Sequence, residues 1–191
     1  MSKTPYQSIV LMGKIASGKG TQAERIIKDY GGVMYSNGDN VRSAIKEPTP
    51  FGQNVKTCYE GGLLIPEWIA SYWMTDALVN KYSQERIIFE AVAKKPDEAK
   101  LFIEIHEWLQ RPYIIFNLDI SDDLVRVRSQ ARARDQVDVP EIIEKRLAEY
   151  HQFTAESINI FASTGKLVNI DGSLTPEMVQ AEINSHLSTN N

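Results

Sequence analysis

Short apolar runs recur along this chain at Ser8–Met12, Gly32–Tyr35, Arg86–Phe89, Tyr113–Asp119 and Lys166–Ile170. Several are apolar on consecutive residues instead of every second one, the pattern of strands covered on both faces. Between them lie longer stretches with helical spacing: Thr21–Tyr30, Asn40–Ile45, Gly52–Tyr59, Pro66–Tyr82, Asp97–Leu109, Asp122–Ala133, Pro140–Ala162 and Thr175–Leu187. Pro66, Pro140 and Pro176 stand at or near the starts of such stretches, where a missing N–H costs nothing. Strand and helix in alternation call for an open parallel sheet with helices on its faces. The expected fold is α/β, a three-layer sandwich with a five-stranded parallel sheet, built as one domain over residues 1–191. No repeat, low-complexity linker or domain boundary breaks the pattern. The least regular stretch is "EPTPFGQ", Glu47–Gln53.

The stretch "GKIASGKGTQA", Gly13–Ala23, leaves the first strand and opens the first helix. That is the setting of a phosphate-binding loop. Gly13 and Gly18 let the backbone curl so that successive N–H groups turn inward. The following helix adds partial positive charge at its start. Lys19 can reach β- and γ-phosphates, and the Thr21 hydroxyl can approach a magnesium ion. The generic pattern sets Ser or Thr directly after the lysine; here Gly20 intervenes.

The rest of the chain narrows the setting. A net charge of −4 and a pI near 5.5 argue against a general nucleic-acid surface, so an anion site must be a local basic pocket. No apolar stretch approaches the roughly 18 residues of a membrane span, and "MSKTPYQ" has no signal-like apolar region. Cys58, the single cysteine, cannot form an internal disulfide or make a zinc site alone, and is expected to be a packing residue. A reduced, cytoplasmic setting is expected. His106, His151 and His186 lack metal-ligand spacing and are set aside, as is Trp108, expected to pack under the sheet.

The "SGKGTQA" variant of the loop resembles that of the adenylate kinase and nucleoside monophosphate kinase family. Further stretches follow in the family's order: "SNGDNVR" (Ser36–Arg42), "GLLIPE" (Gly62–Glu67), "RIIFEAVAKKPDEA" (Arg86–Ala99), "KRLAEYHQFTA" (Lys145–Ala155) and "IDGSLTPEMV" (Ile170–Val179). The resemblance implies transfer of the γ-phosphoryl of ATP to a nucleoside monophosphate, with magnesium as the cofactor. It also implies an acceptor-binding insert at about 36–66 and a short lid at about 128–138, too short and too poor in cysteine to carry zinc. Neither a nucleic-acid polymer nor a membrane is expected as a partner.

Residue by residue, the resemblance assigns ATP to Gly13, Ala16, Ser17, Gly18, Lys19, Gly20, Thr21, Arg128, Arg132 and Leu174. The acceptor falls to Asn37, Gly38, Arg42, Leu63, Leu64, Ile65, Ala91, Lys94, Glu98, Arg134 and Arg146. Lys19, Arg128, Arg132, Arg134 and Arg146 carry catalysis, and Thr21 and Glu90 hold magnesium, mostly through water. In-line transfer between two polyanions needs converging cations rather than a base, because the attacking phosphate oxygen is already ionised. Arg132 and Arg134 compete for one lid position, and Asp135 and Asp138 for the lid carboxylates.

This chain departs from the family's pattern in the Glu90–Glu98 segment. Glu90 replaces an Asp, and Lys94 an Arg, which keeps the charge and loses the two-pronged grip on phosphate; Lys95 could share the task. Glu98 stands where a Gln reads adenine. An ionised Glu only accepts hydrogen bonds, so it suits the N1–H of guanine better than the bare N1 of adenine. Against that, Glu98 could cap its own helix or pair with Lys94 or Lys95. AMP is the first expectation for the acceptor; GMP, UMP or CMP on the same fold is the alternative. A nucleotide-binding protein without transfer activity is a third reading.

Overall fold

A computed structural model describes residues 3–132 and 138–188. Its strands are β1 (Ser8–Met12), β2 (Val33–Ser36), β3 (Ile87–Glu90), β4 (Tyr113–Asp119) and β5 (Leu167–Asp171). They form one sheet in the order β2-β3-β1-β4-β5, with every neighbouring pair parallel. Val10 in β1 registers with Phe89 on one side and Ile115 on the other.

Alternate side chains serve opposite faces, because the strand period is two. Val10, Met12, Tyr35, Phe89, Tyr113 and Ile115 join one core, covered by α4 (Glu67–Asp76), α5 (Pro96–Trp108) and α8 (Ala155–Ser163) through Met74, Phe102 and Phe161. Ile9, Leu11, Ile88, Phe116 and Leu118 join the other, covered by α1 (Lys19–Tyr30) and α9 (Pro176–Leu187) through Ile26, Ile183 and Leu187. Buried on both faces, β1 reads as an apolar run from Ile9 to Met12 and β4 as one from Tyr113 to Phe116 for this reason.

Two smaller clusters sit outside the sandwich. Helices α2 (Asn37–Ala44) and α3 (Pro50–Glu60) close against α4 around Val41, Val55, Ile65 and Ile69. Helices α6 (Asp122–Arg132) and α7 (Pro140–Glu149) meet through Ile120, Val125, Ile143 and Leu147. A two-pronged bond from Arg126 to Glu144 (2.7 and 2.9 Å) adds to that seam.

The structure departs from the sequence reading in a few places. Half of the irregular "EPTPFGQ" stretch is helix: Thr49 Oγ1 accepts the Gly52 N–H and Pro50 opens α3. Two long helical stretches contain single π-helical turns, Ala77–Lys81 and Tyr150–Thr154. Trp108 does not pack under the sheet but is 86% exposed. The buried stripe of α5 runs through Ala99, Phe102 and His106 at spacings of three and four, which turns position 108 outward. Cys58 lies half-buried beside the α2–α4 cluster, as a packing residue.

Candidate phosphoryl-transfer site

The loop Gly13–Gly18 runs from the carboxyl end of β1 into α1. Gly13 sits at φ +128°, and a Cβ there would lie 2.3 Å from the Leu118 carbonyl oxygen, so only glycine fits. Gly18 also lies in the left-handed region, at φ 98°. So does Ala16 at φ 57°, a conformation costing an L-residue roughly 1–2 kcal/mol. Helix α1 has no side-chain cap, and the partial charge of its first N–H groups stays with the loop. Lys19 folds back over this turn, donating to the carbonyls of Gly13 (3.0 Å) and Lys14 (2.5 Å) and to Ser17 Oγ (3.3 Å).

A cavity of about 610 Å³ opens in front of the loop, at the carboxyl ends of the strands, where open α/β sheets bind ligands. Lys19 reaches it from α1, Arg42 from α2, Lys94 from the segment after β3, Arg128 and Arg132 from α6, and Arg146 from α7. Crowding and burial act on these cations. Burial, then the charges of Lys94 and Arg132, pull Lys19 down to about 7, with Glu90 opposing. Burial and then Arg146 pull Lys94 below the ordinary lysine value. A polyanion in the cavity would reverse both shifts.

The four arginines are also held. Arg42 pairs with Asp39 at 2.5 Å. Arg128 donates to the carbonyls of Gly172 (2.8 Å) and Ser173 (3.3 Å). Arg132 grips Asp138 with two parallel bonds of 3.0 and 2.7 Å. Arg146 sits 5.6 Å from the centre of the Tyr59 ring. Of the two lid arginines the sequence left open, Arg132 lines the cavity, while Arg134 lies outside the described residues, as does Asp135.

Most other sequence-derived residues line the same space: Gly13, Ala16, Ser17, Gly18, Gly20, Thr21, Asn37, Gly38, Leu63, Leu64, Ile65, Glu90, Ala91 and Glu98. Two do not. Leu174 packs beside the core cluster around Ile170 and Val179. Lys95 donates to the Ile65 carbonyl at 3.3 Å and lies over the Phe153 ring at 5.4 Å. Its reach is taken up in holding the "GLLI" segment rather than by the cavity.

The carboxylates have separate roles. Glu98 is buried in the first turn of α5 and accepts the Lys94 N–H at 2.8 Å. It therefore caps its helix and lines the cavity at once, so the two sequence readings of Glu98 do not exclude each other. Burial raises its carboxyl to about 7, against the Lys94 and Lys95 N–H groups and lysine charges, which favour the anion. Glu90 ends β3 beside the start of α1, with Oε1 3.5 Å from where a Gly20 Cβ would be. Together with the exposed Thr21 hydroxyl it offers oxygen donors of the kind magnesium takes. Among the described residues, no cluster of three or more His, Cys, Asp or Glu side chains could hold a metal by itself.

Sequence reasoning missed Glu149, Tyr150 and Thr154, all of which line the cavity. Glu149 Oε2 accepts the Leu64 N–H at 2.9 Å, tying the α2–α4 insert to α7. Both Tyr150 and Thr154 belong to the π-helical turn, an irregularity often found at functional sites. Their segment, "KRLAEYHQFTA", carries part of the family resemblance, but nothing local marks the π turn.

Comparison with known proteins agrees with this geometry. The family model described as adenylate kinase matches residues 11–166. The chain belongs to the adenylate kinase family. An adenylate kinase of Caulobacter vibrioides is 30% identical over 184 residues, covering 94% of this chain and 96% of that protein. Adenylate kinase 1 of a Nostoc species is 29% identical over 182 residues, covering 95% and 98%. An adenylate kinase of Phocaeicola vulgatus is 29% identical over 180 residues, covering 92% and 95%. As a member of the adenylate kinase family the chain is a phosphotransferase, a nucleoside monophosphate kinase. No helix among the described residues is long and apolar enough to cross a membrane.

Proposed function

We propose that this protein transfers the γ-phosphoryl group of magnesium-bound ATP to AMP, giving two ADP. The observation that carries the reading is the convergence of Lys19, Arg42, Lys94, Arg128, Arg132 and Arg146 on one cavity from widely separated parts of the chain. The triphosphate lies along Gly13–Thr21, with Lys19 at its β- and γ-phosphates and Arg128 and Arg132 over it. The acceptor lies between Arg42, the Leu63–Ile65 backbone, Lys94 and Glu98. An acceptor phosphate oxygen attacks the γ-phosphorus in line while the bond to the β–γ bridging oxygen breaks, and no protein base is required. Arg132 and Arg146 flank the moving group and offset its charge. Thr21 and Glu90 would hold magnesium, largely through water, and the bound ion would supply charge neutralisation at the phosphates.

Segment 36–66 closes over the acceptor, and the end of α6 with Arg128 and Arg132 closes over the triphosphate. Closure keeps water from intercepting the phosphoryl group. A second acceptor reading has a specific observation behind it. The Glu98 carboxylate accepts but does not donate when ionised, which favours a base presenting N1–H, such as that of GMP. A coupled assay with ATP and AMP, GMP, UMP or CMP in turn decides. AMP is expected to give the highest kcat/KM. A higher value for another monophosphate overturns the AMP assignment, and ATP binding without turnover of any overturns transfer itself.

A further inference from the structure

The loop carries a second lysine that the phosphate reading leaves unused. Lys14 is not part of the cavity. Its side chain is 10% exposed, and its ammonium donates to the Ile120 carbonyl at 2.7 Å and meets Asp122 Oδ1 at 2.8 Å. The same ammonium lies 5.5 Å from the centre of the Tyr150 ring. Asp122 is the first residue of α6, and its other oxygen, Oδ2, lies 2.9 Å from Nε2 of His151 in the π-helical turn. The Lys14 backbone carbonyl accepts the Lys19 ammonium at 2.5 Å. One residue thus touches the phosphate-binding lysine with its carbonyl and the root of α6 with its side chain.

A buried ammonium is costly unless its donors all find partners, so a small apolar residue would fill this turn more cheaply. What the lysine adds is a fixed relation between two elements. Helix α6 carries Arg128 and Arg132 into the cavity. At 1.5 Å per residue, Arg132 stands about 15 Å from Asp122, so a tilt of about 4° at the root moves it by about 1 Å. A displacement of that size can cost on the order of a hundredfold in rate.

We propose that Lys14 is a positioning residue, which through Asp122 sets the α6 arginines against the phosphate loop. The inference rests on the placement of the triphosphate at Gly13–Thr21. The acceptor side is tied separately, by Glu149 to Leu64 and Lys95 to Ile65, and should not respond.

Two-substrate kinetics on Lys14→Met, Asp122→Asn and the double variant test this, at a temperature where each unfolding curve shows the folded state. Both single variants should lower kcat at least tenfold with the acceptor KM held within about twofold. The double variant should be no worse than the poorer single one, because both remove the same link. Unchanged kcat, losses that multiply in the double variant, or an acceptor KM rising in step with the ATP KM would overturn the proposal. A Lys19→Met control separates the two layers. If it abolishes transfer while the Lys14 and Asp122 variants do nothing, the tether alone is wrong. If Lys19→Met is also harmless, the triphosphate placement is wrong.

Discussion

Glu98 accepts the Lys94 backbone N–H at 2.8 Å while its carboxyl lines the cavity. Glutamine can make the same capping bond and also presents an amide donor. Glu98→Gln should therefore fold normally and sharpen preference for AMP over the other monophosphates. The ratio of kcat/KM values reads this, and an unchanged acceptor profile removes Glu98 from the base site.

The same carboxyl makes a pH prediction. Raised to about 7, it is protonated and able to donate below that value, and ionised above it. AMP suits the protonated form. The AMP KM of the unmodified protein should rise from pH 6 to pH 8 more steeply than that of Glu98→Gln, which shares every other titration, including that of the substrate phosphate. Parallel pH profiles would exclude the effect.

Lys19 is pulled to about 7 by burial and by neighbouring cations. A triphosphate beside it raises that value, so ATP binding at pH 8 should take up protons. Calorimetry in buffers of differing ionisation heat measures the uptake, which Lys19→Met should diminish. The variant should also lose at least about a hundredfold in kcat, the scale of removing one donor to transition-state charge. Near-normal turnover would count against the assigned site.

Glu149 holds the Leu64 N–H from across the cavity. Glu149→Ala should raise the acceptor KM about tenfold, since a hydrogen bond to a charged group contributes about 1.5 kcal/mol or more. The ATP KM should stay nearly constant. Equal changes in both would mean that the contact holds the fold and not the acceptor side.

Far from the site, His106 is buried against Ser8 and Arg111. Arg111 Nε donates to Ser8 Oγ, Ser8 lies 2.9 Å from His106 Nε2, and His106 Nδ1 lies 2.8 Å from the Phe102 carbonyl. Arginine only donates, so the Ser8 hydroxyl is free to donate to Nε2, and Nδ1 carries the proton toward Phe102. Burial, with Arg111 adding its charge, lowers the imidazole to about 3. Above the unfolded value of about 6.5 neither state is protonated and no penalty exists. Below it the unfolded chain binds a proton that the native state refuses, and stability falls by up to about 1.4 kcal/mol per pH unit until the native group titrates. Urea midpoints at pH 7, 6 and 5 should fall faster for the unmodified protein than for His106→Gln; equal slopes would contradict this.

The strands, the helix-opening proline positions and the phosphate loop were legible because each is local. A strand buried on both faces must be apolar along its length, and the turn at Gly13 admits no side chain. The capping, lysine-pairing and base-site readings of Glu98 could not be separated in one dimension, because they depend on where the cavity lies relative to the start of α5.

What the residues determined alone was the alternation of strand and helix, the parallel sheet it requires, and the set of cations available to two polyanions. The tertiary structure decided which of those charges share a space. It sent Lys14 to Asp122 and Lys95 to Ile65, kept Lys19, Lys94 and Arg146 in the cavity, and turned Trp108 to the surface. The physical reason is that backbone pattern follows from neighbours in sequence. A side chain's electrostatic partner is whichever group the packing of distant segments brings within about 3 Å, the range of a hydrogen bond.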